Sequence, residues 1–170
     1  MIIFKKATLE DLDKVIIGIM QLKDTDTCVT TVEAMEFIDH CYYAEDDASN
    51  YIVAIVAATR EVLEEYSEVE GSVVTTYPNR YNIVYMLGDD YVIEEHNRQN
   101  LQDIMVYLVR ELSADMNDWS VWADTSKIFT NDDKFNNAVN IALRTNDFIK
   151  SKSHDNVYIR LMPLQFDKNH

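Results

Sequence analysis

The side chains most often used as metal ligands or nucleophiles are few and widely spaced in this chain. The histidines and cysteines are His40, His96, His154, His170, Cys28 and Cys41. None of them has the paired spacing of a metal site, so we interpret them as surface or half-buried residues without a metal role. Two cysteines cannot form a disulfide framework, and we expect free thiols, as in a reducing compartment.

Carboxylates occur in close pairs that could in principle hold a hard cation. The pairs are Asp24/Asp26, Asp46/Asp47, Asp89/Asp90 and Asp132/Asp133. No pair lies in a D-x-[DN]-x-[DN]-G loop, and most precede a predicted helix, where capping explains them better. A chain with only three glycines also lacks a G-x-S-x-G elbow, a Walker loop and a dinucleotide fingerprint.

Aromatic residues are concentrated in one stretch that the pattern predicts to be a hairpin. Tyr77, Tyr81, Tyr85 and Tyr91 lie there, and Trp119 and Trp122 straddle the next predicted strand. Packing of a sheet face is the interpretation we favour. The alternative is an aromatic patch that binds a protein partner, since Tyr and Trp anchor interfaces well.

The balance of charge limits the partners. Fifteen Lys and Arg face thirty Asp and Glu, which gives a net charge of −15, spread along the chain. Binding to nucleic acid or to anionic lipid is therefore not expected, whereas a basic protein partner is. The chain has neither a signal-peptide pattern nor an apolar run long enough to span a membrane, so we expect a cytoplasmic protein.

The length of 170 residues and the absence of a linker or repeat predict one domain over residues 1–170. Capping boxes at Thr8–Asp11 and Thr30–Glu33 predict two early helices, and we expect Met35, Ile38 and Tyr42 to share a face of the second. Residues 47–66 fit a helix or a buried strand, and we favour the helix.

The second half of the chain has clearer periodicity. SVVTTYP and YNIVYML are predicted to pair as a hairpin. They are followed by an amphipathic helix that starts near residues 97–100, the strand WSVWA, a helix over about Asp132 to Arg144, and a closing strand NVYIRLM. We expect Ile104, Leu108, Val121 and Val139 to be buried between helices and sheet, in a mixed α/β fold.

In this order, the elements resemble the GNAT (N-acetyltransferase) superfamily fold. FKKATLEDLDKVIIGIM resembles its opening strand and helix, YNIVYML with HNRQNLQDIMVYLVREL its central strand and cofactor helix, and WSVWADTS with FNNAVNIALRTNDFI its next strand and helix. The resemblance implies an α+β fold whose central sheet is mixed, mostly antiparallel and flanked by helices on both faces. A weaker likeness is to the small GNAT-like internal virion proteins of short-tailed phages.

The resemblance also implies where a cofactor would bind. The family's R-x-x-G-x-G/A turn, which holds the pyrophosphate of acetyl-CoA on backbone N–H groups, corresponds here to Arg98, Gln99, Asn100, Leu101, Gln102 and Asp103. Leu101 and Asp103 replace the glycines, and a carboxylate at residue 103 would repel a phosphate. Asn136 matches the family's asparagine, but Leu143 stands at its proton-donating tyrosine and Asp147 at its glycine.

These departures favour a non-catalytic GNAT-fold protein without a cofactor, of phage origin, that acts through protein contacts as a virion component or host-factor binder. A homo-oligomer is compatible with this hypothesis, and the location is then the host cytoplasm or the virion. The alternative is an atypical N-acetyltransferase that uses acetyl-CoA on a basic amine. It would need Glu94 or Glu95 as the base and Tyr85 or Tyr91 as the acid.

Overall fold

A seven-stranded sheet forms the centre of the structure. The computed structural model describes residues 1–23, 28–62, 65–69, 72–76, 79–90, 92–93, 99–116 and 120–161. The strands of this sheet are β1 (Ile2–Lys6), β2 (Cys41–Asp46), β3 (Tyr51–Val62), β6 (Asn79–Gly88), β7 (Ser120–Asp124), β8 (Ile149–Lys150) and β9 (Val157–Arg160). They lie in the order β1-β2-β3-β6-β7-β9-β8. β4 (Glu65–Val69) and β5 (Ser72–Thr76) form a separate antiparallel pair.

Five α-helices are described. They are α1 (Leu12–Lys23), α2 (Thr31–Phe37), α3 (Leu101–Asp115), α4 (Thr125–Ile128) and α5 (Asp133–Thr145). The capping box at Thr8–Asp11 is confirmed, because the Thr8 N–H donates to Asp11 at 2.9 Å. Thr30 caps α2 as predicted, since the Glu33 N–H donates to Thr30 Oγ1 at 3.2 Å. No helix of the described ranges is both long and apolar enough to cross a membrane.

The helices cover both faces of the sheet, as the mixed α/β prediction requires. One hydrophobic cluster joins α1 and α2 to β2 and β3, and a second joins α3 and α5 to the opposite face. Ile104, Leu108, Val121 and Val139 are fully buried in the second cluster, which confirms the predicted core. Gly18 allows α1 to lie close to β3, since a Cβ there would stand 2.8 Å from Ile52 Cδ1.

The helix predicted over residues 47–66 is wrong. Residues 51–62 form β3, which pairs with β2 on one side and with β6 on the other. Every residue from Ile52 to Ala58 is buried, because helices cover the strand on both faces. A strand buried on both faces has a continuous apolar run instead of an alternating one, and such a run also fits a helical stripe.

The predicted hairpin partner is also wrong. Residues 72–76 form a strand, but it pairs with β4, whereas β6 pairs antiparallel with β3. The physical reason is that β3, once it is a strand of twelve residues, offers β6 a longer partner than β5 could. The register of the β3–β6 pair shifts between Ala57 and Ala58.

The second helix ends earlier than its spacing predicts. α2 stops at Phe37, and Tyr42 lies in β2, a strand that the pattern did not indicate. Ile38 is buried as expected, but Met35 is 55% exposed and does not share its face. The helical spacing of apolar residues therefore continues past the end of α2 into β2, and it does not mark a single helix.

A buried carboxylate connects β1, α1 and β2. Glu45 of β2 has no exposed surface; it forms an ion pair with Lys5 of β1 at 2.6 Å and a second one with Lys14 of α1. Burial acts to raise the pKa of Glu45, but the hydrogen bonds from Lys14 and Lys5 outweigh it and hold that pKa below its usual value. The two lysines are partly exposed, so they can regain water if the carboxylate is lost.

We expect Glu45→Gln to lower the free energy of unfolding at pH 7 by about 1–2 kcal/mol, less than for a fully buried pair because the lysines rehydrate. The pKa of Glu45 is lower in the folded than in the unfolded chain, so this stabilisation is present above about pH 4.3. It is lost as the pH falls through the pKa of Glu45 in the folded chain.

Urea titrations at pH 7 and pH 3 measure how much stability the substitution removes at each pH. Glu36→Gln, on the exposed face of α2, is the control, and an equal loss at both pH values would contradict the assignment.

Candidate functional site

The sheet opens between β6 and β7. Among the described residues, these strands pair in parallel from Arg80–Ser120 to Asn82–Trp122, after which β6 runs on to Gly88 while β7 stays with β9. Within the described strands this is the one parallel pair, and all other neighbours are antiparallel. α3 begins beneath the end of β6, so the opening and the N-terminus of α3 lie together.

The first turn of α3 is capped by the protein itself. Asn100 is the N-cap, and its Oδ1 accepts a hydrogen bond from the Asp103 N–H at 2.9 Å. A helix N-terminus attracts anions through its free N–H groups and its dipole. Here one of those N–H groups is already bonded, and the exposed Asp103 side chain adds a negative charge to the turn.

Leu101 occupies the space under the end of β6. It is 2% exposed, and a Cβ added to Gly88 would collide with its Cδ1 and stand 3.2 Å from Met105 Cε. Gly88 therefore brings the backbone of β6 into direct contact with the first turn of α3. The side chain that replaces the family's first glycine is part of the core.

A small cavity remains beside this turn. It measures about 190 Å³ and is lined by Asp90, Asn100, Leu101, Gln102, Lys134, Asn137 and Ala138. Lys134 Nζ of α5 lies 2.8 Å from Asp90 Oδ2, and this ion pair connects two walls of the cavity. Pockets for drug-sized ligands measure roughly 300–1,000 Å³, so this cavity is smaller than the range for such a ligand.

Both polar atoms of the Asn136 side chain are hydrogen-bonded within the protein. Its Oδ1 accepts from the Thr130 N–H at 2.9 Å, and its Nδ2 donates to the Thr130 carbonyl at 2.8 Å. The side chain thus fixes the loop that leads into α5.

The remaining matches with the family's last helix also acquire a structural role. Leu143 is fully buried, and Asp147 has a φ of 67° in the turn that ends α5. Glycine favours this left-handed conformation, so the backbone at residue 147 suits a glycine although an aspartate occupies it.

The alternative acid and base are only partly described. Glu94, Glu95, Tyr91 and Arg98 lie outside the described residues, as do Tyr77 and Trp119. Tyr85 packs with the cluster of α1 and α2, its ring 5.3 Å from that of Phe37, so it lies on the sheet face opposite α3. Burial raises the pKa of Tyr85.

Two residues of this region gave no functional signal in the sequence. An ion pair between two distant segments leaves no local pattern, so the sequence predicts a helix cap at Asp90 and no role for Lys134. Asp89 does cap, since its Oδ1 accepts from the Val92 N–H at 3.2 Å. In the described part of the chain, no group of three or more His, Cys, Asp or Glu side chains could hold a metal ion.

Comparison with known proteins identifies the fold. No protein-family model matches the sequence, and no curated protein matches it. Among solved structures, Arabidopsis thaliana NAA60 in complex with a bisubstrate analogue is 12% identical with a TM-score of 0.55, over 96% of this chain and 100% of that one. The mosquito arylalkylamine N-acetyltransferase like 5b is 12% identical with a TM-score of 0.55, over 95% and 100%.

A third match is to a longer protein of Enterococcus faecalis V583, described as a probable N-acyltransferase. It is 13% identical with a TM-score of 0.46, and covers 72% of this chain and 29% of that one. The two matches that span nearly the whole of both chains, together with the mostly antiparallel seven-stranded sheet between helices, show that this chain has the GNAT fold.

Proposed function

We propose that this chain is a non-catalytic GNAT-fold protein that acts through protein contacts. The observation that carries the proposal is the filled opening between β6 and β7. Leu101 occupies the space under Gly88, and Asn100 caps the turn that would hold a pyrophosphate. Asp103 would repel that anion, and the Asp90–Lys134 pair joins the walls of what remains.

The competing hypothesis is an atypical N-acetyltransferase that uses acetyl-CoA. The similarity to the mosquito arylalkylamine N-acetyltransferase like 5b supports it, and the chain's net negative charge would attract a basic amine. It requires a replacement for the phosphate-binding turn and a replacement for the proton donor. Leu143 cannot donate a proton, and Tyr85 lies on the sheet face opposite α3.

A row of apolar side chains supplies a surface for protein contacts. Ile149 of β8 lies opposite Ile159 of β9, which lies opposite Trp122 of β7, so the three project from one face. Ile149 is 69% exposed, and Ile159 and Trp122 are half-buried. The described members of the α1–α2 cluster include no residue of these strands, so that those helices leave the row open.

The contact surface that we propose therefore differs from the aromatic patch of hairpin tyrosines that the sequence offers as an alternative. Tyr81 is buried in the core and Tyr85 packs under α2, whereas Trp122 lies beneath the Arg80 guanidinium at 4.0 Å and beside His154. An apolar row on a chain of net charge −15 suits a partner with an apolar anchor and basic flanks. The likeness in layout to phage internal virion proteins supports a virion component or a host-factor binder.

The first test concerns the cofactor. We expect the wild-type chain to bind acetyl-CoA no tighter than about 1 mM. The double variant Leu101→Gly/Asp103→Gly should bind at least about tenfold tighter, because it removes the negative charge and the Leu101 side chain and so lets a phosphate approach the backbone of the turn. Isothermal titration calorimetry with acetyl-CoA and desulfo-CoA measures both.

Gln102→Gly is the matched control, since it adds a flexible glycine to the same turn but keeps the side chains of Leu101 and Asp103. Asp103→Asn serves if the double variant fails to fold, and it should also bind more tightly than the wild type. A micromolar dissociation constant for the wild type would contradict the proposal and favour the acetyltransferase.

The second test concerns the apolar row. In a Trp119→Phe variant, Trp122 is the remaining tryptophan, and we expect acrylamide to quench it in the monomer. Its quenching should fall in a complex or oligomer that covers the row. Sedimentation verifies the monomer. Should Trp122 prove inaccessible in that monomer, the row is internal packing and the contact surface is elsewhere.

A further inference from the structure

A second cavity lies toward the other end of α3. It measures about 470 Å³, within the ligand-pocket range of roughly 300–1,000 Å³. Its lining consists of Arg110, Ser113 and Ala114 of α3, Thr145, Asn146 and Asp147 at the end of α5, and Arg160 of β9. Ser113 is twelve residues after Leu101, a rise of about 18 Å along a helix, so a ligand on the first turn of α3 would not fill it.

Two buried polar atoms of this lining lack a hydrogen-bond partner. They are Ser113 Oγ and Arg160 Nη1, and Ser113 is only 4% exposed. Buried hydroxyl and guanidinium groups are normally satisfied, because leaving them unpaired costs free energy. Both atoms can donate, so the group that would satisfy them is an acceptor.

The charge of the lining is opposite to that of the chain. Arg110 and Arg160 contribute two positive charges and Asp147 one negative charge, a net of +1 on a chain of −15. Within the described ranges, neither arginine forms an ion pair, and Asp147 is exposed. A guanidinium fork matches the two oxygens of a carboxylate or a phosphate, and a net charge of +1 balances a single negative charge.

The cavity is held open by the protein's own hydrogen bonds. Asn146 Nδ2 donates to the Val106 carbonyl of α3 at 3.1 Å and to the Ala142 carbonyl of α5 at 2.8 Å. The Asp147 and Phe148 N–H groups bond to the carbonyls of Arg144 and Leu143, at 3.2 and 3.0 Å. The last carbonyls of α5 therefore already accept hydrogen bonds, so they compete less with a bound anion for the donors that line the cavity.

We propose that this cavity binds the carboxylate of a small organic monoanion. Arg110 and Arg160 hold the carboxylate oxygens, and the Ser113 hydroxyl donates a further hydrogen bond. The site lies apart from the first turn of α3, and it stands whether or not the chain binds acetyl-CoA.

The test uses matched probes that differ in charge. Acetate and benzoate are titrated into the ¹⁵N-labelled chain beside acetamide and benzamide, which have the same shape without the charge. We expect acetate and benzoate, but not acetamide and benzamide, to shift the backbone N–H signals of Ser113 and of residues 145–147.

Arg110→Gln and Arg160→Gln should each weaken binding of the carboxylates by about tenfold or more, since each removes a charge-assisted hydrogen bond. Arg144→Gln, on the exposed side of α5, should bind as the wild type does.

Ser113→Ala separates a binding role from a structural one. The Ser113 hydroxyl has no partner in the protein, and alanine favours a helix, so the free variant should melt about 1–2 °C higher. The same variant should bind benzoate several-fold more weakly.

Three outcomes would overturn the proposal. They are the absence of shifts with either carboxylate at about 50 mM, equal binding by the arginine variants and the wild type, and equal binding of amides and carboxylates. Binding of inorganic phosphate in preference to benzoate would overturn the assignment to a carboxylate.

Discussion

The short parallel pairing of β6 with β7 shapes the whole region around the N-terminus of α3. Three pairs of residues join these strands in the described part of the chain, and the sheet then opens toward the N-terminus of α3. An opening in a sheet must be filled, by a ligand or by side chains, because an empty apolar gap forfeits packing. Here the chain fills it with Leu101 against Gly88, and the Asp90–Lys134 ion pair spans what is left.

The same constraint gives the two ends of α3 opposite characters. A helix N-terminus ordinarily favours an anion, but here it holds Asp103 and lies close to Asp90. Farther along the helix, Arg110 and Arg160 both line a larger cavity that contains unsatisfied donors. The anion site that we propose thus lies on side chains near the last turn of α3, and not on the backbone of its first turn.

Local signals predicted the elements whose causes are local. The capping residues Thr8, Thr30 and Asp132 locate three helix starts, and the amphipathic spacing of residues 101–112 gives the buried face of α3. β3 escaped prediction because helices cover it on both faces, which removes the alternation that identifies a strand. The β4–β5 pair and the Asp90–Lys134 ion pair depend on contacts between segments that no local window contains.

If the chain's own side chains occupy the opening under β6, the first turn of α3 offers no site for acetyl-CoA. The amide signals of Leu101, Gln102 and Asp103 report on that turn directly, in a ¹⁵N-labelled wild-type chain titrated with acetyl-CoA to about 0.1 mM, where a dissociation constant of about 1 mM or weaker leaves the turn almost free. If Leu101 and the cap of Asn100 fill the site, these signals stay in place throughout the titration. A saturable shift of the three amides at micromolar acetyl-CoA would show that the turn binds the cofactor, and would contradict the account.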